Sequence, residues 1–289
     1  MLRGAIYGIM AAAIWGGMYV VSDVVLRVIP PFTLLNIRIL MGLVVLLAII
    51  QFQQLRFPER RQFLRLMGVG LVGFGLSLGA QFLGTDLSTA VNGALVTSAS
   101  PAFIVFFAWL ILREKLTFWR VAAVVLATIG VIIIVDPANA DFGSDTFAGD
   151  MFLAVAALTW GLYSVLVRWV SRGQKTDTLV ITAGAFIGGL CLTLPAAAVE
   201  LTQRPIGMID AGTILGILYL GIVSTAAAMW LWNRAFALVD ASVASLFFFA
   251  QPLTGALLGA IFLNQPMTTG LWMGSALIVL GVLLSLRSQ

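Results

Sequence analysis

Long apolar runs, broken by short charged or proline-bearing segments, follow one another along the whole chain. A helix that crosses a bilayer needs about 20 mostly apolar residues. Runs of that kind fall at 4–26, 32–52, 63–83, 87–112 and 117–135, and again at 148–170, 178–199, 211–233, 238–263 and 268–286. The pattern predicts an all-α membrane protein with ten transmembrane helices. Arg38 and Arg234 lie within or at the end of a run; the other boundaries fall at charges or prolines. The first run has Arg3 ahead of it and Ala11 to Ala13 inside it, as a cleaved leader would. It continues to Val25, too long for the apolar part of such a leader, and is read as a helix of the fold.

Composition points the same way. Of 289 residues, 61% are hydrophobic and 10% charged, with a mean hydropathy of +1.07, whereas a soluble chain carries about a quarter charged residues. A pI of about 9.7 does not make this a nucleic-acid binder, because the 16 basic residues form no basic helix face. Their placement sets an orientation instead. With the N-terminus in the cytoplasm, 13 fall on the cytoplasmic side: Arg3; Arg56, Arg60, Arg61 and Arg65; Arg113, Lys115 and Arg120; Arg168, Arg172 and Lys175; Arg234; Arg287. Only Arg27 and Arg204 fall outside, and Arg38 is left in a helix. Both termini are therefore expected in the cytoplasm. Asp136, Asp141, Asp145 and Asp150 gather around the long outer loop, whose spacing is not that of a calcium-binding loop. It reads as a solvated acidic connector. The one cysteine, Cys191, can form no intramolecular disulfide.

The chain also repeats itself. Ala12-Ala13-Ile14-Trp15-Gly16 resembles Ala157-Leu158-Thr159-Trp160-Gly161 at an offset of 145. Ala90, Pro101, Thr117 and Gly130 match Ala241, Pro252, Thr268 and Gly281 at an offset of 151. Two units of five helices follow, 1–135 and 148–289, joined by the connector 136–147. Five is odd, so the second unit enters the membrane from the opposite side. Inverted repeats of this kind let one repeat rock against the other around a central site.

The Trp-Gly pairs carry a resemblance, together with Asn92-Gly93-Ala94, Pro101 and Leu112-Arg113-Glu114-Lys115-Leu116-Thr117 and the echo Pro252 and Leu263-Asn264-Gln265-Pro266-Met267-Thr268. Over essentially the whole chain the sequence resembles the drug/metabolite transporter superfamily, in its EamA-type branch of bacterial exporters. The resemblance implies ten helices, the bacterial inner membrane and export of amino acids or other small metabolites; the likeness is greatest to the aromatic amino-acid exporters. One departure is visible. The family usually carries Glu in both Pro…Glu motifs, and here Glu114 is matched by Gln265.

Candidate site residues follow from depth and helical spacing. Trp15, Tyr19 and Ser22 share one helix face, as do Trp160 and Tyr163 in the matching helix. Both tryptophans lie near mid-membrane, below the interfacial belt, and neighbouring hydroxyls would be costly against lipid; cavity lining is the expectation. The same logic adds Phe74, Ser77 and Gln81, Trp230 with Asn233, and Asn92, Ser98, Ser245, Phe249 and Gln251. Pro101 and Pro252, read as mid-helix, are expected to act as hinges or packing kinks. Arg38 lies six residues after Phe32. That depth favours snorkelling to the outer headgroups over a substrate carboxylate, and both readings stay open. The Gly75/Gly79, Gly184/Gly188, Gly212/Gly216 and Gly255/Gly259 spacings read as close helix packing.

Gly75-Leu76-Ser77-Leu78-Gly79 fits a hydrolase nucleophile pattern, yet it lies in a membrane helix and the chain has no histidine to serve as base. No Walker sequence is present. The expected function is export of small amphipathic metabolites, neutral or aromatic amino acids first, with lipophilic or quaternary-ammonium cations as the rival and a membrane enzyme as a remote one. The expected partners are a small-molecule substrate and the lipid bilayer, with no nucleic acid, ATPase partner, metal or cofactor. No carboxylate lies deep in a run, which favours diffusion or exchange over proton coupling.

Overall fold

The structure, a computed structural model, describes residues 2–88, 96–97, 99–135, 146–172, 176–251, 253–254 and 269–286. Every regular element among them is helical. The first half supplies α1 (Leu2–Leu26), α2 (Pro31–Phe52), α3 (Arg60–Leu87), α4 (Ser100–Leu112) and α5 (Phe118–Val135). The second supplies α6 (Phe147–Ser171), α7 (Thr178–Gln203), α8 (Ala211–Leu238), a short α9 (Ala241–Ala244) that tightens into a 3-10 segment (Ser245–Phe249), and α10 (Thr269–Leu286). Five of these, α2, α3, α6, α7 and α8, are long and apolar enough to cross a bilayer.

Local chemistry fixes the ends. Pro31 opens α2, where its missing N–H is not needed. Asp177 caps α7 by accepting from the Leu179 N–H at 2.8 Å. Asp210 caps α8, accepting from the Thr213 hydroxyl at 2.6 Å and its N–H at 2.7 Å; these bonds hold its carboxyl below the usual carboxylate range. The α4 helix ends at Arg113, which takes a left-handed conformation with φ 55°.

Several boundaries differ from the sequence expectation, among them the end of α7 at 203 rather than 199. Helix α3 runs from 60 to 87 rather than 63 to 83, and α8 reaches 238 rather than 233. Both continue past the apolar run because their polar ends find partners: Arg234 donates to the Thr178 hydroxyl at 3.2 Å and Thr85 to the Gln81 carbonyl at 2.8 Å. In the fourth run, α4 is described from Ser100 to Leu112 and residues 96–97 ahead of it are helical, while 89–95 and 98 lie outside the described residues.

The contacts respect an exchange of each helix with the one five further on. Helix α2 packs on α7 and α5 on α10, each with its own counterpart. Contacts of α1 with α8 are mirrored by α6 with α3, α4 with α6 by α9 with α1, and α3 with α7 by α8 with α2. The counterparts run antiparallel. Thr33 meets Glu200 and Asn36 meets Thr193, so the start of α2 lies beside the end of α7. The correspondence extends to a defect: α3 widens into a π-helical segment at Leu71–Ser77 and α8 does so at Tyr219–Ala227.

Glycines allow the closest crossings. Gly70 abuts the backbone of Ala185 and Gly188 abuts that of Met67, so a methyl at either would collide with backbone. Gly184 packs on Leu66 in the same crossing, and Gly216 on Val25. Gly75 and Gly79 meet the side chains of Leu192 and Phe32. Gly212 does not belong with them: only its own cap, Asp210, lies near it, so close packing does not explain that glycine. Gly255 and Gly259 lie outside the described residues. The buried apolar side chains form a large cluster between the helices and a second, smaller one around Val105, Val124, Phe249 and Ile278, while Val44, Leu110 and Leu215 face outward, as lipid-facing positions do.

Candidate functional site

A small cavity of about 40 Å³ lies where the halves meet. From the first half it is lined by Trp15 and Met18 of α1, Arg38 of α2, Ser77, Leu78, Gln81 and Phe82 of α3, and Thr97 and Ser100 at the start of α4. From the second half come Ala156, Ala157 and Trp160 of α6, Met229 of α8, and Phe248 and Gln251 beyond it.

The two π segments shape this site. A π turn skips a residue in the hydrogen-bond ladder and releases backbone and hydroxyl groups from their usual partners. In α8 the Thr225 hydroxyl donates back to the Leu220 carbonyl at 2.7 Å, and the Ser224 carbonyl accepts from the Trp15 indole N–H at 3.0 Å. Thr225 and Ser224 also accept from the Arg38 guanidinium: Nε reaches the Thr225 hydroxyl at 3.1 Å and Nη2 the Ser224 hydroxyl at 3.4 Å. In α3 the segment ends at Ser77, whose hydroxyl donates to the Ala156 carbonyl at 2.8 Å. That bond ties α3 to α6 and leaves Ser77 with a structural task.

Trp15 and Trp160 meet edge to face at 5.5 Å, and Trp232 backs both at 5.3 and 6.2 Å. Trp232 is fully buried and donates to the Ser164 hydroxyl at 3.2 Å. The Trp160 Nε1, the Arg38 Nη1 and the Gln251 Oε1 are buried without a hydrogen-bond partner. Arg38 is 1% exposed, and its guanidinium also lies 5.2 Å from the centre of the Phe82 ring. It does not snorkel. The side chain turns inward, because hydroxyls of α8 and the Met18 sulfur at 3.2 Å offer it partners there.

Of the residues singled out from sequence, Trp15, Arg38, Ser77, Gln81, Trp160 and Gln251 come together on the cavity wall. Others do not. Tyr163 is fully buried behind Trp160, donating to the Asn233 side-chain Oδ1 at 2.8 Å, and Asn233 in turn donates to the Thr182 hydroxyl at 3.0 Å. Phe74 packs edge to face against Tyr163 and Phe186. Trp230 leans on Tyr7, away from the cavity, and Phe249 packs with Ala123, Ala127 and Ile278. Pro101 is not mid-helix but stands in the first turn of α4, where a proline leaves no bond unmade. Asn92, Ser98 and Pro252 lie outside the described residues, as does the side chain of Tyr19, which sits on α1. Met18, Phe82, Met229 and Phe248 were not signalled by sequence, since one apolar residue among many carries no mark of the face it lines.

At one end of the bundle a cluster of charges closes over the helix ends. Glu114 accepts from the Ala241 N–H at 3.0 Å, the Ser242 N–H at 3.1 Å and the Ser242 hydroxyl, capping α9 from the α4–α5 connector. Arg168, Arg172 and Arg120 lie 3.4, 3.5 and 3.8 Å from its carboxylate. Asp240 pairs with Arg168 at 2.7 Å and Arg120 at 3.1 Å. At the opposite end of α6, Asp150 accepts from Ser88 at 2.6 Å; nearby Arg204 pairs with Asp86 at 2.8 Å. Glu200 there caps α2 through Phe32 and Thr33.

This arrangement of two matched halves around a shared cavity has relatives. The EamA-like transporter family matches residues 2–136 and again 147–287. The chain belongs to that family. It is thus a multi-pass membrane transporter built of duplicated halves, and not an enzyme; the Gly75–Gly79 pattern is part of a helix crossing. An uncharacterized transporter of Archaeoglobus fulgidus is 26% identical over 278 residues, covering 96% of this chain and 94% of its own. One from Clostridium kluyveri is 28% identical over 268 residues, covering 90% and 84%. A solved crystal structure matches with a TM-score of 0.85 at 21% identity, covering 99% of both chains, and shows the same fold.

Proposed function

We propose that the protein exports small amphipathic metabolites, neutral amino acids with large side chains first, by alternating access around the cavity at the junction of the halves. The observation that carries this reading is the cavity wall itself: Trp15 and Trp160 from matching positions of the two halves, beside polar Ser77, Gln81 and Gln251. Flat indoles suit an aromatic or branched side chain, and ring pairs gain about 0.5–1.5 kcal/mol beyond burial. The polar groups suit a head group.

The proposal includes ten membrane crossings in two inverted sets, with both termini cytoplasmic, in a bacterial inner membrane. Antiparallel packing of α2 on α7 and α5 on α10 supports inversion, and the crowding of basic residues at the Glu114 end supports that end as cytoplasmic. The hinge expected at Pro101 is proposed to act at the first turn of α4, where the helix would bend during the cycle. Lipophilic cations are the weaker reading, because the described cavity wall carries an arginine and no acid.

The test is flux in liposomes holding the purified protein. Labelled phenylalanine, tryptophan, methionine and leucine should move well above protein-free vesicles, and glutamate and lysine poorly. Glutamate or lysine moving as fast as phenylalanine would contradict the proposal.

A further inference from the structure

Arg38 is the only charged side chain among the described residues that line the cavity, and its surroundings are built to hold it. Nε and Nη2 are occupied by Thr225, Ser224 and the Met18 sulfur. Nη1, inside a residue 1% exposed, has no partner. No carboxylate forms an ion pair with Arg38 among the described residues. An uncompensated cation inside a membrane-spanning helix is costly to maintain, and such residues persist where they meet a substrate or ion. Hydroxyls and a thioether orient the guanidinium without cancelling its charge, so the cavity keeps one net positive charge with one open donor group.

We infer that this open Nη1 is a subsite for the carboxylate of an organic monoanion, or of a zwitterion, whose apolar body lies against Trp15, Trp160 and Phe248. The inference rests on the proposed transport through this cavity but deepens it, since it says which substrate group is anchored. A phosphate dianion would want several cations, and the described wall offers one. A charge-assisted bond to a single carboxylate suits one open guanidinium edge. The Trp160 Nε1 is a second unpartnered donor on the same wall, and the Gln251 Oε1 is an acceptor able to take an ammonium N–H. The carboxylate is therefore the required group and the amine an accessory one. Compounds with a carboxylate and no amine belong to the ligand range; amines without a carboxylate do not.

Titration calorimetry on the detergent-purified full chain tests this with three matched probes: L-phenylalanine, 3-phenylpropionate and 2-phenylethylamine. The two carboxylates should bind, and the amine should bind at least about tenfold more weakly. Arg38→Gln should weaken both carboxylates by about 10- to 100-fold and leave the amine no worse. Because a buried arginine also packs, Gln251→Glu provides a second variant that leaves it intact: a carboxylate on the same wall should repel the acids and improve the amine. Phenylethylamine binding wild type as well as phenylpropionate would overturn the inference, as would phenylalanine binding Arg38→Gln and wild type equally. Phenylpropionate binding where phenylalanine does not would uphold the carboxylate subsite while refuting the amino-acid reading.

Discussion

Glu114→Ala is the substitution with the largest calculable consequence outside the cavity. The carboxylate accepts two backbone N–H groups and a hydroxyl at the start of α9, and three guanidinium groups lie within 3.8 Å. Losing a helix cap of this kind costs about 0.5–2 kcal/mol. Removing one partner of a buried ionic group costs about 3–5 kcal/mol when the remaining charges are stranded. Here Asp240 still pairs with Arg120 and Arg168, so the ionic part should fall short of that range. The total expected for Glu114→Ala is about 3 kcal/mol. Glu114→Gln keeps the size and one acceptor oxygen and should lose about half as much. Asp240→Asn provides the contrast, because its side chain is 43% exposed and solvent screens its pairs; it should cost under about 1 kcal/mol. Denaturant titration in mixed micelles, followed by helical circular dichroism, measures all three. An alanine variant within about 1 kcal/mol of wild type, or Asp240→Asn costing more than Glu114→Ala, would show that Glu114 is not what holds the start of α9 and its arginines together.

Other expectations separate the cavity wall from what lies behind it. Tyr163→Phe strands the buried Asn233 oxygen and should destabilise by about 1–3 kcal/mol in the same titration, with the order of transported solutes unchanged. Asn36→Ala and Thr193→Ala, alone and together, should show a coupling of about 0.6 and at most about 1.7 kcal/mol, since the Thr193 hydroxyl donates to the Asn36 amide oxygen across α2 and α7 at 2.9 Å. Pro101→Ala should change stability by less than about 1 kcal/mol, because the first turn of α4 needs no N–H bond there; a larger loss would show that the proline holds that first turn itself.

Much of the architecture was legible from sequence because a bilayer imposes its thickness on the chain. Apolar runs mark the crossings, and Trp15-Gly16 with Trp160-Gly161 marks the duplication, since tryptophan is rare enough for coincidence to mean little. The site was legible only in part. Helical spacing states which residues share a face, not what that face meets. Trp160 and Tyr163 share one, yet Trp160 reaches the cavity while the Tyr163 hydroxyl is drawn to Asn233 on α8. Trp230 and Trp232 lie on opposite sides of one helix, and the reading chose Trp230 where Trp232 backs the tryptophan pair. The π segments left no sequence signal beyond the glycines of Leu71–Ser77, because hydrogen-bond register is settled by packing between helices. Glu114 stood in a connector with no partner assigned to it; the structure buries it because α9 starts beside it with two N–H groups to cap.

The transported molecule is proposed to pass through the cavity between the halves. The most direct test of this passage uses the single native cysteine. With exposed Cys191 replaced by Ser, Ala157→Cys puts one thiol on the cavity wall, at a position 1% exposed. The variant is reconstituted in liposomes, treated with a small thiol-specific methanethiosulfonate, and assayed for exchange of whichever solute the wild type carries fastest. Labelling is expected to stop exchange, and the solute itself to slow the labelling. Fully labelled Ala157→Cys protein exchanging at the unlabelled rate would contradict the account.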